Sequence, residues 1–236
     1  MERNPIVIAR RLSRVGRAAK RLVIDEGHAR SALAGHPVDQ DGNPVPWITY
    51  PATAFLDSLD LSGRRMFEFG AGASTMFWQS RVAEIVSVEN DPAWVEVLRT
   101  RIDPSVVSIR LATDPDRYVA SVADGGPWDV VVIDGLLREE AARHAVPHLA
   151  PGALVVLDNT DWFPEPAAVL RDAGLLQVDF AGPGPTKAYQ WVTSVFMSRD
   201  ADLKFRSQRP TPKGGEPVPY PPIDGWPNTQ AAPPPL

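Results

Sequence analysis

An acid and two glycines occur where the sequence passes from a predicted strand into a predicted helix, and a second acid ends the next predicted strand. The stretch "FEFGAGAST" contains Glu68, Gly70 and Gly72, and Glu89 ends the next apolar segment, "EIVSVE". Glycine lets the backbone approach a ligand closely, and the first turn of a helix offers free N–H groups to a carboxylate or phosphate. An acid at the end of the second strand is placed to bind ribose hydroxyls. The pattern therefore predicts a nucleoside-containing cofactor.

The residues around these glycines favour one kind of cofactor. A dinucleotide-binding loop requires a third small residue in the pattern G-x-G-x-x-G, and Thr75 stands at that position. The sequence also lacks a G-x-x-x-x-G-K-[ST] motif, which argues against a nucleoside triphosphate. Glu68, two residues before the first glycine, suits a positively charged amino-acid group. We therefore predict S-adenosylmethionine, whose ammonium and sulfonium groups are cationic and whose ribose would meet Glu89.

Three oxygen-bearing side chains follow two further apolar segments. Asp134 follows "DVVVI", and Asp158 and Asn159 follow "ALVVL". If these segments are adjacent parallel strands, the three side chains meet at one edge of the sheet, where oxygen ligands would suit Mg²⁺ and the metal would lower the pKa of an acceptor hydroxyl. Asp134 and Asp158 are accordingly the predicted catalytic residues. A local alternative stays open, because Asp and Asn also cap or turn strand ends without any ligand.

Aromatic side chains flank the same strand ends, as is common in pockets for small organic molecules. Asp161 lies among them and is a candidate general base, alongside Lys187. Trp47, Tyr50, Asp161 and Trp162 are predicted to lie near the methyl acceptor. The segment "PWITY" also resembles the stretch before the first motif in a group of bacterial methyltransferases, and this resemblance implies that Trp47, Thr49 and Tyr50 lie near the site.

The elements that must position these residues alternate between strand and helix from about Thr53. Near-continuous apolar runs rich in β-branched residues indicate strands covered on both faces, as in a parallel sheet. The last two strands, "LLQVDFAG" and "YQWVTSVFMS", are separated by "PGPTKA", which predicts an antiparallel excursion. The predicted fold class is α/β, a doubly wound and mostly parallel seven-stranded sheet with a late antiparallel hairpin and an N-terminal helical extension.

Both ends of the chain differ in composition from its centre. Residues 6 to about 34 are predicted to form one helix with apolar positions beside many arginines. Such a helix suits an anionic membrane surface or a partner. The simpler interpretation is packing on its own domain or on a second subunit, so a homodimer is one prediction. Residues 207–236 hold ten of the 25 prolines and are predicted to be extended or disordered.

Composition narrows the classes of function. A net charge of −5 and a pI near 5.4 argue against general binding to nucleic acid. The absence of cysteine removes disulfides, thiolate metal sites and a cysteine nucleophile. No apolar run approaches the ~18 residues that a membrane-spanning helix needs. We therefore expect a cytoplasmic protein that acts on a small molecule.

From about Trp47 to Met197 the chain resembles the class I, Rossmann-like S-adenosylmethionine-dependent methyltransferases. The likeness depends on "FEFGAGAST", "VSVEND", "RLATDPDRY", "DVVVIDG" and "LAPGALVVLDN", which occur in this order. It implies a methyltransferase domain over 47–206. A basic helical extension and turn-rich stretch would precede it over 1–46, and a Pro-rich tail would follow over 207–236.

The resemblance also implies roles for individual residues. The loop 70–72 would line the methionine part of the cofactor, and Glu89 would hold the ribose. Asn90 would flank the adenine, Asp114 would lie near its amino group, and Asp134 would face the methionine or the acceptor. The two hydroxyl residues after the loop would either contact the cofactor or cap the helix. The complete predicted cofactor-binding set is Glu68, Gly70, Ala71, Gly72, Ser74, Thr75, Glu89, Asn90, Asp114 and Asp134.

The strand-end acids are similar to the pattern of metal-dependent catechol-type O-methyltransferases, which carry Asp after the fourth strand and Asp-Asn after the fifth. Those enzymes place a lysine shortly after the first Asp, where this chain has Leu137 and Arg138. The resemblance implies O-methylation of a sugar, phenolic or other natural-product acceptor, and nitrogen and carbon acceptors stay open. Two alternatives also stay open: an NAD-type oxidoreductase and a non-catalytic nucleoside-binding interaction protein.

Overall fold

The computed structural model describes residues 5–207, with side chains from Ile8 onward except that of Arg10. The predicted Pro-rich tail therefore lies outside the described residues, apart from its first residue. The helices are α1 (Pro5–Lys20), α2 (His28–Ala34), α3 (Tyr50–Ser58), α4 (Ala73–Trp78), α5 (Pro92–Arg99), α6 (Pro115–Ala120), α7 (Arg138–Ala145) and α8 (Pro164–Asp172). The strands are β1 (Arg65–Phe69), β2 (Glu84–Glu89), β3 (Val107–Leu111), β4 (Trp128–Ile133), β5 (Leu149–Asp158), β6 (Leu176–Pro183) and β7 (Gln190–Met197).

The seven strands form one sheet in the order β3-β2-β1-β4-β5-β7-β6. Strands β1 to β5 pair in parallel, and β7 runs antiparallel to both of its neighbours. The strand order reverses between β1 and β4, which is the place where open α/β sheets bind ligands beyond the carboxyl ends of their strands. The predicted fold class is confirmed.

Both faces of the sheet are covered, which explains the near-continuous apolar strands. Successive side chains of a strand point to opposite faces. Phe67 and Phe69 of β1 lie in the core on the side of α6, α7 and α8, whereas Met66 lies in the core on the side of α3 and α4. A strand buried on both faces cannot alternate apolar with polar residues. One exception is Glu68 in β1, which is completely buried.

The N-terminal extension consists of three helical pieces instead of the one predicted helix. A π-helical turn, Arg21–Asp25, follows α1, and Gly27 breaks the helix with φ 77°. A Cβ at Gly27 would lie 2.4 Å from the backbone carbonyl carbon of Asp39, so the chain approaches itself closely there. The Nδ1 of His28 lies 3.1 Å from the carbonyl oxygen of Gly184, in the β6–β7 connection. Helix α2 is thus attached to the domain.

None of the helices in the described chain has the length and apolar character needed to cross a bilayer.

The two loops at the strand-order reversal touch through glycines. Gly70, with φ 88°, follows β1, and a Cβ on it would lie 2.9 Å from the Cα of Gly135, which follows β4. A Cβ on Gly135 would lie 2.9 Å from the Gly70 nitrogen and 2.2 Å from the Tyr118 hydroxyl. Backbone atoms cannot move aside as flexible side chains do. Both positions therefore require glycine for packing.

We expect the substitution Gly135→Ala to lower the free energy of unfolding by at least about 2 kcal/mol, because the added methyl overpacks against backbone. Gly63→Ala is the matched control: a Cβ there meets nothing within 4 Å, so its effect should stay within about 0.5 kcal/mol. Denaturant unfolding followed by circular dichroism measures both. Equal stability of the two variants would contradict the close approach of the two loops.

Candidate functional site

The loop 70–72, here called the glycine loop, uses its two glycines differently. Gly70 is required by the contact with the loop after β4. A Cβ on Gly72 would meet nothing within 4 Å, so Gly72 borders open space at the carboxyl edge of the sheet. Its backbone is extended, with φ −176°, and α4 begins at the next residue. Gly72 therefore leaves room at the place where the sequence predicts the cofactor.

Glu68 and Thr75 form a buried network beneath the glycine loop. The Thr75 hydroxyl donates to Glu68 Oε2 at 2.5 Å and accepts from the Gly72 N–H at 2.9 Å, and the Ser87 hydroxyl donates to the same Glu68 oxygen at 2.8 Å. Burial raises the pKa of Glu68, and the hydroxyls of Ser74, Thr75 and Ser87 oppose that increase. Both residues are fully buried. Their geometry suits positioning of the loop, since the Thr75 hydroxyl has already used its proton.

Glu89 holds the glycine loop from the neighbouring strand. Its Oε2 accepts from the Ala71 N–H at 3.1 Å, and its Oε1 accepts from the N–H groups of Asn90 and Asp91 at 2.8 and 3.0 Å. The Trp94 indole N–H donates to the carbonyl oxygen of Ala71 at 2.8 Å, so this residue is fixed on both sides. A carboxylate offers about four acceptor positions. Three backbone bonds leave one of them, on Oε2, for a ligand hydroxyl.

The other predicted cofactor residues lie at the ends of β2 and β3. Asn90 and Asp114 are exposed, and Ser74 is half-buried on α4. Asp114 accepts from the Arg117 N–H at 2.9 Å and so caps α6. The Ala112 N–H donates to the Glu89 carbonyl oxygen at 2.8 Å, which keeps the ends of β2 and β3 together.

Arg138, the first residue of α7, connects the ends of β4 and β5. Its Nη1 donates to the Asp158 carbonyl oxygen at 2.5 Å and to Asn159 Oδ1 at 2.8 Å, and its Nη2 donates to Asp134 Oδ1 at 3.2 Å. Its Nε donates to the Gly135 carbonyl oxygen at 3.1 Å. We call this arrangement the arginine fork. Only 14% of the Arg138 side chain is exposed, so the guanidinium is a largely buried cation that requires these partners.

The carboxyl group of Asp158 is buried against β7. Its Oδ1 accepts from the Trp191 indole N–H at 2.9 Å and from the Thr193 hydroxyl. Burial raises the pKa of Asp158 to about 6, although these two bonds and Arg138 favour the ionised form. Burial also raises the pKa of Asp134, and the nearby charge of Asp158 adds to the effect. One proton is therefore held more tightly by this pair than by ordinary carboxylates.

The three residues predicted to bind Mg²⁺ do converge, but around a guanidinium. Asp134 Oδ1 and Asn159 Oδ1 both accept from Arg138, while Asp158 Oδ1 already accepts two other hydrogen bonds. Asn159 has φ 59° and turns the chain after β5, which is the local role that Asn residues favour. A divalent cation among these oxygens would lie beside a buried positive charge. The residues present therefore do not fit the metal.

An aromatic cavity adjoins the strand ends. It has a volume of about 230 Å³. Ring centroids are 5.8 Å apart for Trp162 and Tyr189 and 6.0 Å apart for Tyr189 and Trp191. Lys187 Nζ lies 5.3 Å from the ring centroid of Trp47 on another wall. The residues that line the cavity are Trp47, Asp134, Asp158, Asn159, Trp162, Lys187, Tyr189 and Trp191.

Three of the residues predicted near the acceptor are not among those that line this cavity. Thr49 is fully buried and donates its hydroxyl to the Phe180 carbonyl oxygen at 2.9 Å. Asp161 accepts from the Val192 N–H at 3.0 Å and so fastens the loop after β5 to β7. Tyr50 borders a different cavity, of about 1110 Å³, between α3, α4 and the extension. That cavity is larger, but its lining contains neither the glycine loop nor a strand-end acid, so we place the candidate site at the aromatic cavity.

Sequence reasoning missed the fork. The sequence places Arg138 shortly after Asp134, but whether its side chain contacts both strand ends depends on how α7 starts. Leu137, with φ 51°, makes the turn into that helix. Lys187 was only one of several candidate bases, and the antiparallel pairing of β6 with β7 brings its loop over the site. Polar residues next to aromatic ones in the "TKAYQW" segment are the signal that points there.

Comparisons with known proteins agree with this fold. No protein-family model matches the chain, and no curated protein matches its sequence. A precorrin-6Y C5,15-methyltransferase from Geobacter metallireducens aligns over 69% of this chain and 96% of its own, with 18% identity and a TM-score of 0.52. The cofactor-bound protein Rv0187 from MTB aligns over 84% and 99%, with 22% identity and a TM-score of 0.51.

A third similar structure is an O-methyltransferase from Bacillus cereus in complex with SAH. It aligns over 72% of this chain and 88% of its own, with 16% identity and a TM-score of 0.52. Because all three identities are below a quarter, the likeness concerns the fold. The chain has the seven-stranded fold of the class I S-adenosylmethionine-dependent methyltransferases, as the resemblance implied.

The arginine fork generates a prediction about metal ions. We expect Mg²⁺ and Mn²⁺ to leave the melting temperature of the wild-type protein unchanged. Arg138→Ala should lower the free energy of unfolding by about 3–5 kcal/mol, since it leaves Asp134 and its neighbours without their cation. Part of that loss should return when Mn²⁺ is added, because the three oxygens then face an empty position. Differential scanning fluorimetry with a cation titration measures the melting temperatures of the wild type and the variant and their response to Mn²⁺.

Arg143→Ala is the matched control on the same helix. Arg143 is exposed and pairs with Glu139 at 2.6 Å, so its loss should cost less than about 1 kcal/mol and respond to no cation. Stabilisation of the wild-type protein by Mg²⁺ would contradict the interpretation that the guanidinium replaces a metal.

The buried Asp158 carboxyl predicts a pH-dependent stability. The native state holds this proton up to about pH 6, whereas the unfolded chain releases it near the ordinary value of 3.8. The native state therefore binds more protons between these values, and the contribution of Asp158 to stability falls as pH rises through 6. Asp158→Asn removes this pH-dependent contribution to stability. Its stability relative to the wild type should be up to about 3 kcal/mol more favourable at about pH 8 than at about pH 4.

Urea unfolding at both pH values measures the difference, and Asp172→Asn, an exposed carboxylate on α8, controls for the loss of one negative charge. The same stability difference at the two pH values would contradict a raised pKa for Asp158.

Proposed function

We propose that this protein is an S-adenosylmethionine-dependent methyltransferase that acts on a small organic molecule. The observation that carries the proposal is a shared wall between the two halves of the site. The loop after β4 packs against the glycine loop through Gly135, and Asp134, one residue earlier, lines the aromatic cavity. A methyl donor at the glycine loop would therefore lie beside an acceptor in the cavity.

The residues around the glycine loop fit this cofactor. Gly72 leaves the space that the methionine part requires, and Glu89 has one free acceptor position for a ribose hydroxyl. Asn90 and Asp114 lie at the strand ends on the adenine side. When bound, S-adenosylmethionine supplies a methyl group on an electrophilic sulfonium. We assign Glu68 and Thr75 to positioning of the loop from beneath.

The protein's contribution to methyl transfer is alignment, exclusion of water and removal of a proton. The aromatic walls shield an acceptor from solvent, and Asp134 faces it from the cofactor side. A carboxylate with a raised pKa is a stronger base than an exposed one, so Asp134 is the proposed general base. Arg138 holds this carboxylate in place and supplies the positive charge that a metal supplies in other sites. The proposed reaction therefore needs no divalent cation.

The cavity limits the acceptor. A volume of about 230 Å³ is below the ~300–1,000 Å³ of most sites for drug-sized ligands, which suits a single ring. Flat aromatic walls favour a planar or sugar ring, and a carboxylate base favours a hydroxyl over an amine that is already nucleophilic. We therefore propose O-methylation of a phenolic, sugar or similar natural-product acceptor. Lys187 at the cavity would attract an acceptor that carries negative charge.

Cofactor choice is tested by titrating the purified protein with S-adenosylhomocysteine and with NAD in a calorimeter. We expect binding of the first and none of the second. Gly72→Val should leave the melting temperature unchanged, because its side chain enters open space, yet abolish measurable binding of S-adenosylhomocysteine by filling the cofactor position. Tight binding of NAD, or unaltered binding of S-adenosylhomocysteine by this variant, would contradict the proposal.

Glu89→Gln tests the ribose contact in the same calorimeter. The amide replaces one acceptor oxygen by a donor, so we expect affinity for S-adenosylhomocysteine to fall at least about tenfold, the equivalent of one lost hydrogen bond to a charged group. Glu84→Gln, at the other end of β2 and paired with Arg65, is the control and should bind as the wild type does. Equal affinities for the two variants would contradict the proposed contact of Glu89 with the ribose.

A further inference from the structure

Helix α1 presents an apolar stripe that no other part of the described chain covers. Ile8, Leu12 and Val15 follow one another at helical spacing on one side of α1, and their exposed fractions are 41%, 64% and 65%. Every described side chain between positions 8 and 20 is exposed. The prediction that this helix packs on its own domain is therefore wrong for α1, although α2 does pack there.

The rest of the helix surface is cationic. At 100° per residue, Arg14 and Arg17 lie opposite the stripe, and Arg11 and Lys20 lie on its two flanks. Residues 5–24 contain six Lys or Arg and no acid, which leaves a net charge of −11 for the rest of the chain. Residues 5–24 thus carry a local net positive charge in an otherwise acidic chain, and the same segment exposes aliphatic side chains.

We propose that α1 binds the surface of a bilayer that contains anionic lipid, lying in the plane of the interface. The aliphatic stripe enters the boundary between headgroups and acyl chains, and the flanking Arg11 and Lys20 reach the lipid phosphates. Lys20 makes an exposed ion pair with Asp25 at 3.1 Å, which costs little to exchange for a lipid phosphate. Charge complementarity identifies this occupant: the helix has a cationic surface on both sides of the stripe, and each Lys or Arg near an anionic membrane strengthens binding. Nucleic acid would bind the positive charges but would offer no apolar surface to the aliphatic stripe.

A second copy of the chain fits the same surface less well. The area that three aliphatic side chains can bury is far smaller than the ~800 Å² per partner that a stable interface buries. Helices paired along this stripe would also bring Arg11 and Lys20 close to the same residues of the other copy. Residues 5–20 contain no acid, and Asp25 already pairs with Lys20 of its own chain at 3.1 Å. A bilayer supplies both the apolar phase and the negative charge.

The test is sedimentation of the full-length protein with vesicles, which needs neither the cofactor nor the proposed methyltransferase activity. We expect binding to vesicles of phosphatidylcholine and phosphatidylglycerol, mixed roughly three to one, to exceed binding to pure phosphatidylcholine at least about tenfold and to weaken with added salt. The double variant Leu12→Gln/Val15→Gln tests the stripe. Arg11→Glu/Lys20→Glu tests the charge on the two flanks of the stripe, and each double variant should reduce binding at least about tenfold.

Two controls match these variants. Leu33→Gln alters an aliphatic residue on α2 that is 90% exposed, and Arg99→Glu/Arg101→Glu reverses two exposed charges near the end of α5. Both should bind vesicles as the wild type does. Equal binding to the two kinds of vesicle, or no binding, would overturn the proposal. So would a dimer in light scattering that Leu12→Gln/Val15→Gln converts to a monomer, or retention of a nucleic-acid duplex that competes with vesicles.

Discussion

The buried guanidinium of Arg138 is the interaction on which the geometry of the site depends. It bonds to backbone oxygens after β4 and β5 and to the side chains of Asp134 and Asn159. A largely buried cation is tolerated only when its donors are satisfied, so the two loops are held in one relative position. The loop after β4, which separates the glycine loop from the aromatic cavity, is held in place by the arginine fork. The glycine loop and the aromatic cavity are thereby held in one relative position without a metal ion.

Buried acids support the cofactor side in a related way. Glu68 accepts from hydroxyls beneath the glycine loop, and Glu89 accepts from three backbone N–H groups around it. These bonds lie within the protein itself, so they restrict the loop and reduce the conformational freedom that binding would remove. Glu89 therefore combines a structural role with its proposed contact to the ribose. This combination explains why an acid and glycines occur together at this turn.

Much of the fold could be predicted because local patterns decide it. β2 was predicted over "EIVSVE" and spans the same residues, Glu84–Glu89. Helix ends depend on contacts that local patterns do not contain: α4 stops at Trp78, where Arg81 donates to the Phe77 carbonyl oxygen at 2.7 Å and the chain turns toward β2. The convergence of the strand-end acids followed from the parallel sheet. The cytoplasmic location stays a prediction.

The sequence by itself determined the order of strands and helices along the chain, the glycine loop and the acids at the strand ends. Periodicity and turn chemistry suffice for this because they act over a few residues. Only the tertiary structure decided what those acids contact. Arg138 comes from the start of α7, and Lys187 comes from a loop carried over the site by the β6–β7 hairpin. Their positions depend on packing between elements distant in sequence. The same holds for the exposed stripe of α1, since a sequence pattern defines an apolar face but not whether the fold covers it.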